Sequence, residues 1–483
     1  MPEITRPATA AAPSLLIAVT GGPRASKTSL LAELAAAQLT RGHRVEGVLA
    51  LAGRRRAPDQ GAEEYWLRLI GTDQELSWAV RDESLIPPYY FEPETERKLR
   101  TWAERLVTMP PPPLLVLDEF SKFEVMGKGL MPIWPAVAAA RPHVVVIAVR
   151  EGLEEDIEQL LGRKFDLRIP ATAPDALPRL QRACEDYGEW TRLGLYGGAA
   201  GGVEMTVGAA LHAGKIPLRG LVLSSVQAVM MVFAGSVLNQ PGRVVWVPFI
   251  SAGLKALSPA GSRVRPMIAI IMQGLLFGGT VQALGWNVFA LGLGGALVGA
   301  WAATQGLLLQ YLLMGPDLVH AYDTVVIWLA QKWSISAPGL PWVVSIWAAA
   351  HALVSAGAAL TAWRLRRPPA MLQTIIDREK ARVDVRTTNH PFPRRWYGRL
   401  LEFTHWQFWL PLLMVAAILL ASGGTWEAIV WLVLRFIAVA CVLMAVVSLL
   451  KPARWAEQLR RYGWWGPAVA MSDALSRRDA GKK

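Results

Sequence analysis

Charge thins out beyond about residue 190, and this limits what the chain can fold into more than any other feature. Apolar stretches occupy 194–213, 219–237, 244–254, 266–280, 283–314 and 341–363, then 403–422 and 426–449. A helix crossing a bilayer needs about 20 apolar residues, and its backbone must satisfy its own polar groups because the hydrocarbon core holds no water. Several of these stretches reach that length. Val244–Leu254 is too short and fits a re-entrant segment. The stretch 283–314 fits one tilted helix with an extension, or two short ones. Glycine-rich 194–213 carries Glu204, which makes its insertion costly. Residues 316–333, with Tyr322, Trp328 and Trp333, have the texture of an interfacial helix. At 483 residues and 53% hydrophobic, the chain exceeds one soluble core and divides into several units.

The net charge of +12 would suit nucleic acid, but the basic residues cluster beside apolar segments. There they suit anionic lipid and the cytoplasmic side of a membrane, so a lipid bilayer and no nucleic acid is expected as partner. Residues 364–400 hold ten Lys/Arg against three Asp/Glu, broken by Pro368-Pro369 and Pro391-Phe392-Pro393. This is a basic cytoplasmic linker, taken as 364–401. The tail 451–483 carries eight Lys/Arg against three acids, with an amphipathic pattern around Trp455, Leu459, Tyr462, Trp464 and Trp465. If both lie in the cytosol together with residues 14–190, an even number of crossings falls within 191–363, most simply six, and a hairpin at 402–450 brings the total to eight. Lys255, Arg263 and Arg265 leave the exact count and topology open. Two cysteines, Cys184 and Cys441, cannot make a disulfide framework. Met1 to Pro13 lacks the pattern of a signal peptide and is expected to be disordered.

The region 14–190 has a different texture. Short β-rich runs at Leu15–Thr20, Val45–Leu51, Leu114–Leu117 and Val144–Val149 alternate with helical patterns at 28–40, 93–107, 129–140 and 152–162. That alternation predicts an α/β domain with a parallel sheet covered on both faces. Gly21-Gly22-Pro23-Arg24-Ala25-Ser26-Lys27-Thr28-Ser29 follows the first run and opens the first helix. Such a loop cradles phosphate with backbone N–H groups and a helix N-terminus, while its lysine reaches the outer phosphates and its hydroxyl meets Mg²⁺. Ser26 stands where the last glycine belongs. Taken alone, so imperfect a run is more often coincidence. Its placement between strand and helix, and a second motif, change the balance.

That second motif is Leu114-Leu115-Val116-Leu117-Asp118-Glu119, an apolar strand ending in two acids. An Asp at such a strand end holds Mg²⁺ in phosphoryl-transfer enzymes, and a neighbouring Glu can orient or deprotonate water. The plainer reading is a buried strand ending in a solvated turn. With both motifs in order, binding of a nucleoside triphosphate (ATP or GTP) with Mg²⁺ is expected.

Asp118-Glu119-Phe120-Ser121-Lys122-Phe123-Glu124 is similar to the acidic segment of the small nucleoside-triphosphatase family first named from thermophiles. Gly42-His43-Arg44-Val45-Glu46-Gly47-Val48 resembles that family's second strand, and Arg54 to Arg56 fall near its basic turn. The resemblance, over roughly 14–170, implies a RecA-like P-loop fold with slow, broad hydrolysis of nucleoside triphosphates. By position it implies that Lys27 contacts the β and γ phosphates, Thr28 and Asp118 hold Mg²⁺, and Glu119 acts on water. Ser26 and Ser121 replace the family's glycines.

Polar residues punctuate the apolar region: Glu204, His212, Gln227, Gln273, Gln282, Asn287, Gln305, Gln310 and His351. Singly, each is best read as a helix–helix hydrogen bond or an interfacial position. Together with Gly274, Gly278, Gly279, Gly292, Gly294, Gly295 and Gly299 they fit closely packed helices around a small cavity. Ala256-Leu257-Ser258-Pro259, Pro266 through Ile270 and Gln273-Gly274-Leu275-Leu276 resemble substrate-binding S-components of energy-coupling-factor transporters. Arg435 through Leu450 with Lys451-Pro452-Ala453-Arg454 looks like a fragment of their T-component. The expectation is an α/β P-loop domain fused to an all-α polytopic domain in a bacterial inner membrane, with both termini cytoplasmic. Two functions fit: nucleotide-linked uptake of a small molecule (vitamin, cofactor precursor or metal complex), with transporter subunits as partners, or a nucleotide-gated regulator of other membrane proteins that moves no solute.

Overall fold

The computed structural model describes residues 14–23, 25–55, 63–72, 74–81, 89–213, 218–255, 264–333, 340–366, 406–421, 425–449 and 452–480, together with 370, 373, 374, 376 and 423. The segment 1–13, Arg24, Arg56, Ala256–Pro259 and most of the linker 364–401 lie outside the described residues. Two units divide the chain: Met1–Trp190 with Leu459–Val469, and Thr191–Gln458 with Ala470–Lys483.

In the first unit, β-branched apolar runs form the central strands of an eight-stranded sheet. The strands are β1 (Leu15–Gly21), β2 (Val45–Arg55), β3 (Glu63–Ile70), β4 (Gln74–Arg81), β5 (Tyr89–Phe91), β6 (Leu114–Phe120), β7 (Val144–Arg150) and β8 (Leu167–Pro170). Their spatial order is β5-β4-β3-β2-β6-β7-β1-β8. From β2 to β8 the neighbours run parallel, but β2, β3, β4 and β5 pair antiparallel. The expected all-parallel sheet is therefore corrected to a mixed one. The physical reason is the half-polar run Glu63–Arg81, which turns at Gly71 and Thr72 and forms a hairpin extension of the sheet.

Side chains alternate across the sheet. One face presents Leu16, Ala18, Val48, Leu115, Leu117, Val145 and Ile147 to Leu99, Trp102 and Leu106 of α2 (Pro93–Thr108), Val137 of α4 (Trp134–Ala140) and Ile157 of α5 (Glu154–Leu161). The intervening residues Leu15, Ile17, Val19 and Val146 are equally buried. Helix α1 (Lys27–Thr40) packs on β2, β6 and β7, burying Leu31, Leu34 and Ala35. A single turn, α3 (Lys122–Val125), follows β6. The helix expected over 129–140 starts later, after a 3₁₀ turn at Met131–Ile133.

Part of the amphipathic basic tail, Leu459–Val469, belongs to this first unit. Arg460 pairs with Asp166 at 3.6 Å. Gly466 lies so close to the Trp190 indole that a Cβ there would overlap the ring.

The second unit is helical. It holds the C-terminal part of α6 (Ala176–Ala213), then α7 (Arg219–Gly235), α8 (Trp246–Lys255), α9 (Val264–Leu284), α10 (Val288–Met314), α11 (Pro316–Trp333), α12 (Leu340–Leu365), α13 (Trp406–Ala421) and α14 (Trp426–Leu449). Two further helices, α15 (Pro452–Arg461) and α16 (Trp465–Ala480), divide between the units. Among the described residues, three helices are long and apolar enough to cross a membrane: Pro266–Leu284, Val288–Met314 and Trp342–Leu365. Of the two alternatives for 283–314, one long helix is observed, α10. The short stretch 244–254 is a 3₁₀ turn and then α8. Helices α10 and α12 meet where α10 has no side chains: a Cβ on Gly295 would lie 3.0 Å from Ala356 Cα. On α12, Trp342, Ile346 and Leu353 are exposed, a surface suited to hydrocarbon rather than water.

Candidate functional site

Strand β1 delivers the chain to Gly21, and α1 begins six residues later at Lys27. A Cβ at Gly21 would lie 2.9 Å from Ala25 Cβ, so the turn closes tightly over this glycine. The Ala25 N–H donates to the Gly22 carbonyl at 3.3 Å. Ser26 caps α1 in the left-handed conformation, φ 54°, and its side chain makes no capping bond. Glycine adopts this backbone freely, and serine does so at a cost. The first turn of α1 carries no acid, so its unpaired amides and positive dipole end are not offset by its own side chains. Pro23, Ser26 and Ser29 are exposed around this loop, while Gly22, Ala25, Lys27 and Thr28 are half-buried. Arg24 lies outside the described residues.

Lys27 turns back over the loop. Its amine donates to the Gly21 and Gly22 carbonyls at 2.8 Å each. Burial pulls its pKa below the usual lysine range, against the opposing pull of Asp118 and Glu119. Thr28 donates its hydroxyl to Asp118, whose Oδ2 also accepts the Ala50 N–H of β2 at 3.1 Å. Asp118 is 2% exposed. Burial raises its pKa above the ordinary Asp value, and those hydrogen bonds oppose the rise.

The acidic pair sits on a bulge. Leu117 pairs with Ile147 of β7, and Phe120 with Val149, so β6 spends one residue more than its partner across Asp118-Glu119. Glu119 takes up the bulge at φ 70°. Solvent reaches its side chain, yet surrounding protein and then the Asp118 charge push its carboxyl upward. Backbone strain of this kind is stored where a side chain must be aimed.

Two residues at the end of β7 went unread in the sequence. The Glu151 N–H donates to the Gly21 carbonyl at 3.3 Å. Arg150 acts electrostatically on both Lys27 and Glu119. The only sequence signal was a charged Arg-Glu step closing an apolar strand. Glu124, which closes the acidic segment, is wholly buried. It accepts the Ser121 N–H at 2.8 Å and the Leu130 N–H at 3.0 Å, and burial raises its pKa to about 7. It braces the turn after β6 rather than facing the loop.

Lys27, Thr28, Asp118, Glu119 and Arg150 thus gather at the carboxyl ends of β1, β6 and β7, the edge where open α/β sheets bind ligands. Thr28 and Asp118 together offer hydroxyl and carboxylate oxygens, the hard donors Mg²⁺ prefers. No group of three or more His, Cys, Asp or Glu suited to a metal ion occurs among the described residues.

In the second unit the polar residues separate. Glu204, Gln227, Gln273 and His351 are buried. Gln282 and Asn287 are exposed, and Asn287 caps α10. The side chain of His212 lies outside the described residues.

No protein-family model matches the chain. Searches of curated proteins and of solved structures likewise find no match.

Proposed function

We propose that the first unit is a RecA-like P-loop domain that binds ATP or GTP with Mg²⁺, and that the second is a polytopic inner-membrane domain through which nucleotide state controls capture or passage of a small solute. One observation carries this reading: the Thr28 hydroxyl on the Asp118 carboxylate, beside a lysine that closes its own loop. Phosphate oxygens can replace the Gly21 and Gly22 carbonyls as acceptors for Lys27. The amides of the loop and α1 then face the anion. Thr28 and Asp118 are the residues that would hold the cation. Magnesium, when bound, neutralises charge on the outer phosphates. Glu119, with its raised pKa, accepts a proton from water more readily than an ordinary glutamate. Arg150, whose charge acts on Lys27 and Glu119, would offset charge on the departing phosphate.

The left-handed Ser26 favours a second reading beside the first. A strained loop suits slow turnover, and slow turnover suits a switch that gates partner membrane proteins without moving solute. The membrane assignment is supported by the three long apolar helices and the exposed apolar face of α12. The basic linker and tail support a cytoplasmic C-terminus, and a domain that takes cytosolic nucleotide supports a cytoplasmic N-terminus.

The test uses full-length protein in detergent. Radiolabelled ATP and GTP should bind saturably with magnesium, and Lys27→Ala and Asp118→Asn should each weaken binding about tenfold or more. Absence of saturable affinity for either nucleotide sinks the proposal. In proteoliposomes, uptake that depends on nucleotide and fails in Lys27→Ala supports transport. Nucleotide-dependent co-purification of other proteins without uptake supports gating.

A further inference from the structure

Opposite charges meet inside the helical unit without consuming one another. Lys255, at the end of α8, is 5% exposed, and Glu204 of α6 is 7% exposed. The Lys255 amine donates to the main-chain carbonyl of Glu204 at 2.9 Å rather than to its carboxylate. Buried charges that stay ionised need partners for every lone pair and proton. One donated bond leaves two ammonium hydrogens and a carboxylate still to be engaged.

Further buried polar atoms lie on the helices beside this pair. Ser251 precedes Lys255 by one turn of α8, so both project from one face. A Cβ at Gly201 of α6 would lie 3.5 Å from Ser251 Cα and 2.9 Å from Leu254 Cδ1, which fixes that face of α8 against α6. Ser251 is fully buried, and its hydroxyl has no hydrogen-bond partner among the described residues. On the other side, Gly208 of α6 faces Leu223 of α7, whose methyl carbons would lie 3.6 and 3.7 Å from a Cβ there. One turn back from Gly208 is Glu204, and one turn on from Leu223 is Gln227, so each lies on the face of its helix that carries this contact. Gln227 is 2% exposed, and its amide nitrogen likewise lacks a partner among the described residues. Gly208 lies 3.4 Å, measured from a built Cβ, from Glu204 Oε2. A side chain there would crowd the carboxylate.

We propose that Glu204, Lys255, Ser251 and Gln227 form a binding site for a small zwitterion of the amino-acid class. The Lys255 ammonium, the Gln227 amide and the Ser251 hydroxyl would donate to its carboxylate, and the Glu204 carboxylate would accept from its ammonium. A solute bearing both charges matches a site holding both. A solute of one charge leaves the other buried and unpaired, a loss that gives polar sites their selectivity. This rests on the reading of the second unit as a solute-capturing domain, not on the nucleotide chemistry of the first.

The experiment is equilibrium binding of a radiolabelled mixture of the standard amino acids to full-length protein in nanodiscs, without nucleotide. Saturable binding is expected, displaced by the unlabelled mixture but not by equal concentrations of acetate plus methylamine. Ser251→Ala and Gln227→Leu should each weaken it several-fold, and Glu204→Gln by at least about tenfold. Size-exclusion profiles show which variants remain folded, and Ser251→Ala carries the test if Glu204→Gln does not. Binding that is absent, is matched by acetate plus methylamine, or is unchanged in Ser251→Ala and Gln227→Leu overturns the assignment. Repeating it with Lys27→Ala separates the two proposals: zwitterion binding should persist there even if the first unit binds no nucleotide.

Discussion

Arg460 reaches Asp166 at 3.6 Å and, at 3.4 Å, the Ser14 carbonyl that precedes β1. Asp166 is itself the acceptor for the Leu16 N–H at 2.9 Å and pairs with Arg163. A segment near the C-terminus therefore fastens the first residues of the strand that leads into the loop. Both charges are largely buried, and removing one leaves the other less well satisfied. Arg460→Ala should lower stability by about 1–3 kcal/mol. The check is the thermal midpoint followed by intrinsic fluorescence, and an unchanged midpoint would detach the segment from the stability of the first unit.

Ser26→Gly tests whether the left-handed cap is strained. Relief of the Cβ clash is worth about 1–2 kcal/mol, and the greater freedom of unfolded glycine returns about 0.5–1 kcal/mol. With no capping bond to lose, the net gain should lie at about 0–1.5 kcal/mol. Phosphate release from ATP should rise in the same variant. A destabilised Ser26→Gly protein would show that the serine contributes something its backbone does not reveal.

Binding of magnesium nucleotide should weaken on acidification sooner than an ordinary aspartate would dictate. The folded pKa of Asp118 is raised by burial, so the carboxyl takes up its proton at a higher pH than an exposed Asp, and a metal ligand must be deprotonated. Affinity measured from neutral pH downward should begin to fall above the usual Asp range. A curve that holds flat until that range contradicts the assignment of Asp118 as ligand.

Glu124 gives a separate pH signature in stability. Its folded pKa is about 7, against 4.5 ordinarily. Between those values the folded protein holds a proton that the unfolded chain has released, so the unfolded state binds fewer protons and stability falls as pH rises. The contribution is complete below about 4.5 and is lost as pH climbs through about 7. Denaturation midpoints at either end of this window should differ in the native protein and differ less in Glu124→Gln.

The central strands were legible because strands buried on both faces need unbroken apolar runs, as in Leu114–Leu117 and Val144–Val149. Glu63–Ile70 and Gln74–Arg81 escaped because Glu63, Glu64, Arg68, Gln74, Glu75 and Ser77 interrupt their apolar residues without a regular period, and the strands lie toward the sheet edge. Leu167–Pro170 is too short to announce itself. Lys27, Thr28 and Asp118 could be assembled from motif order, since the spacing alone places them on a loop and a strand end. The bulge that aims Glu119, the approach of Arg150 and the bond from Arg460 to Asp166 depend on register and long-range packing, which no local pattern encodes.

Gly299 gives a test of the helical unit that is independent of any ligand. A Cβ at this position would overlap the main-chain carbonyl of His351, so α10 and α12 touch backbone to backbone there. Close approach through small residues is how helices associate where lipid offers no hydrophobic drive. A carbonyl cannot swing aside as a flexible side chain can, so Gly299→Ala must separate the helices or bend one. The expected cost is about 1–3 kcal/mol. Gly279 of α9 supplies the control, because nothing lies within 4 Å of a Cβ built on it. Gly279→Ala should be neutral or stabilise by up to about 1 kcal/mol through helix propensity. Thermal midpoints in nanodiscs should therefore fall for Gly299→Ala and hold or rise for Gly279→Ala. Equal shifts in the two would show that the α10–α12 contact is not as close as the structure places it.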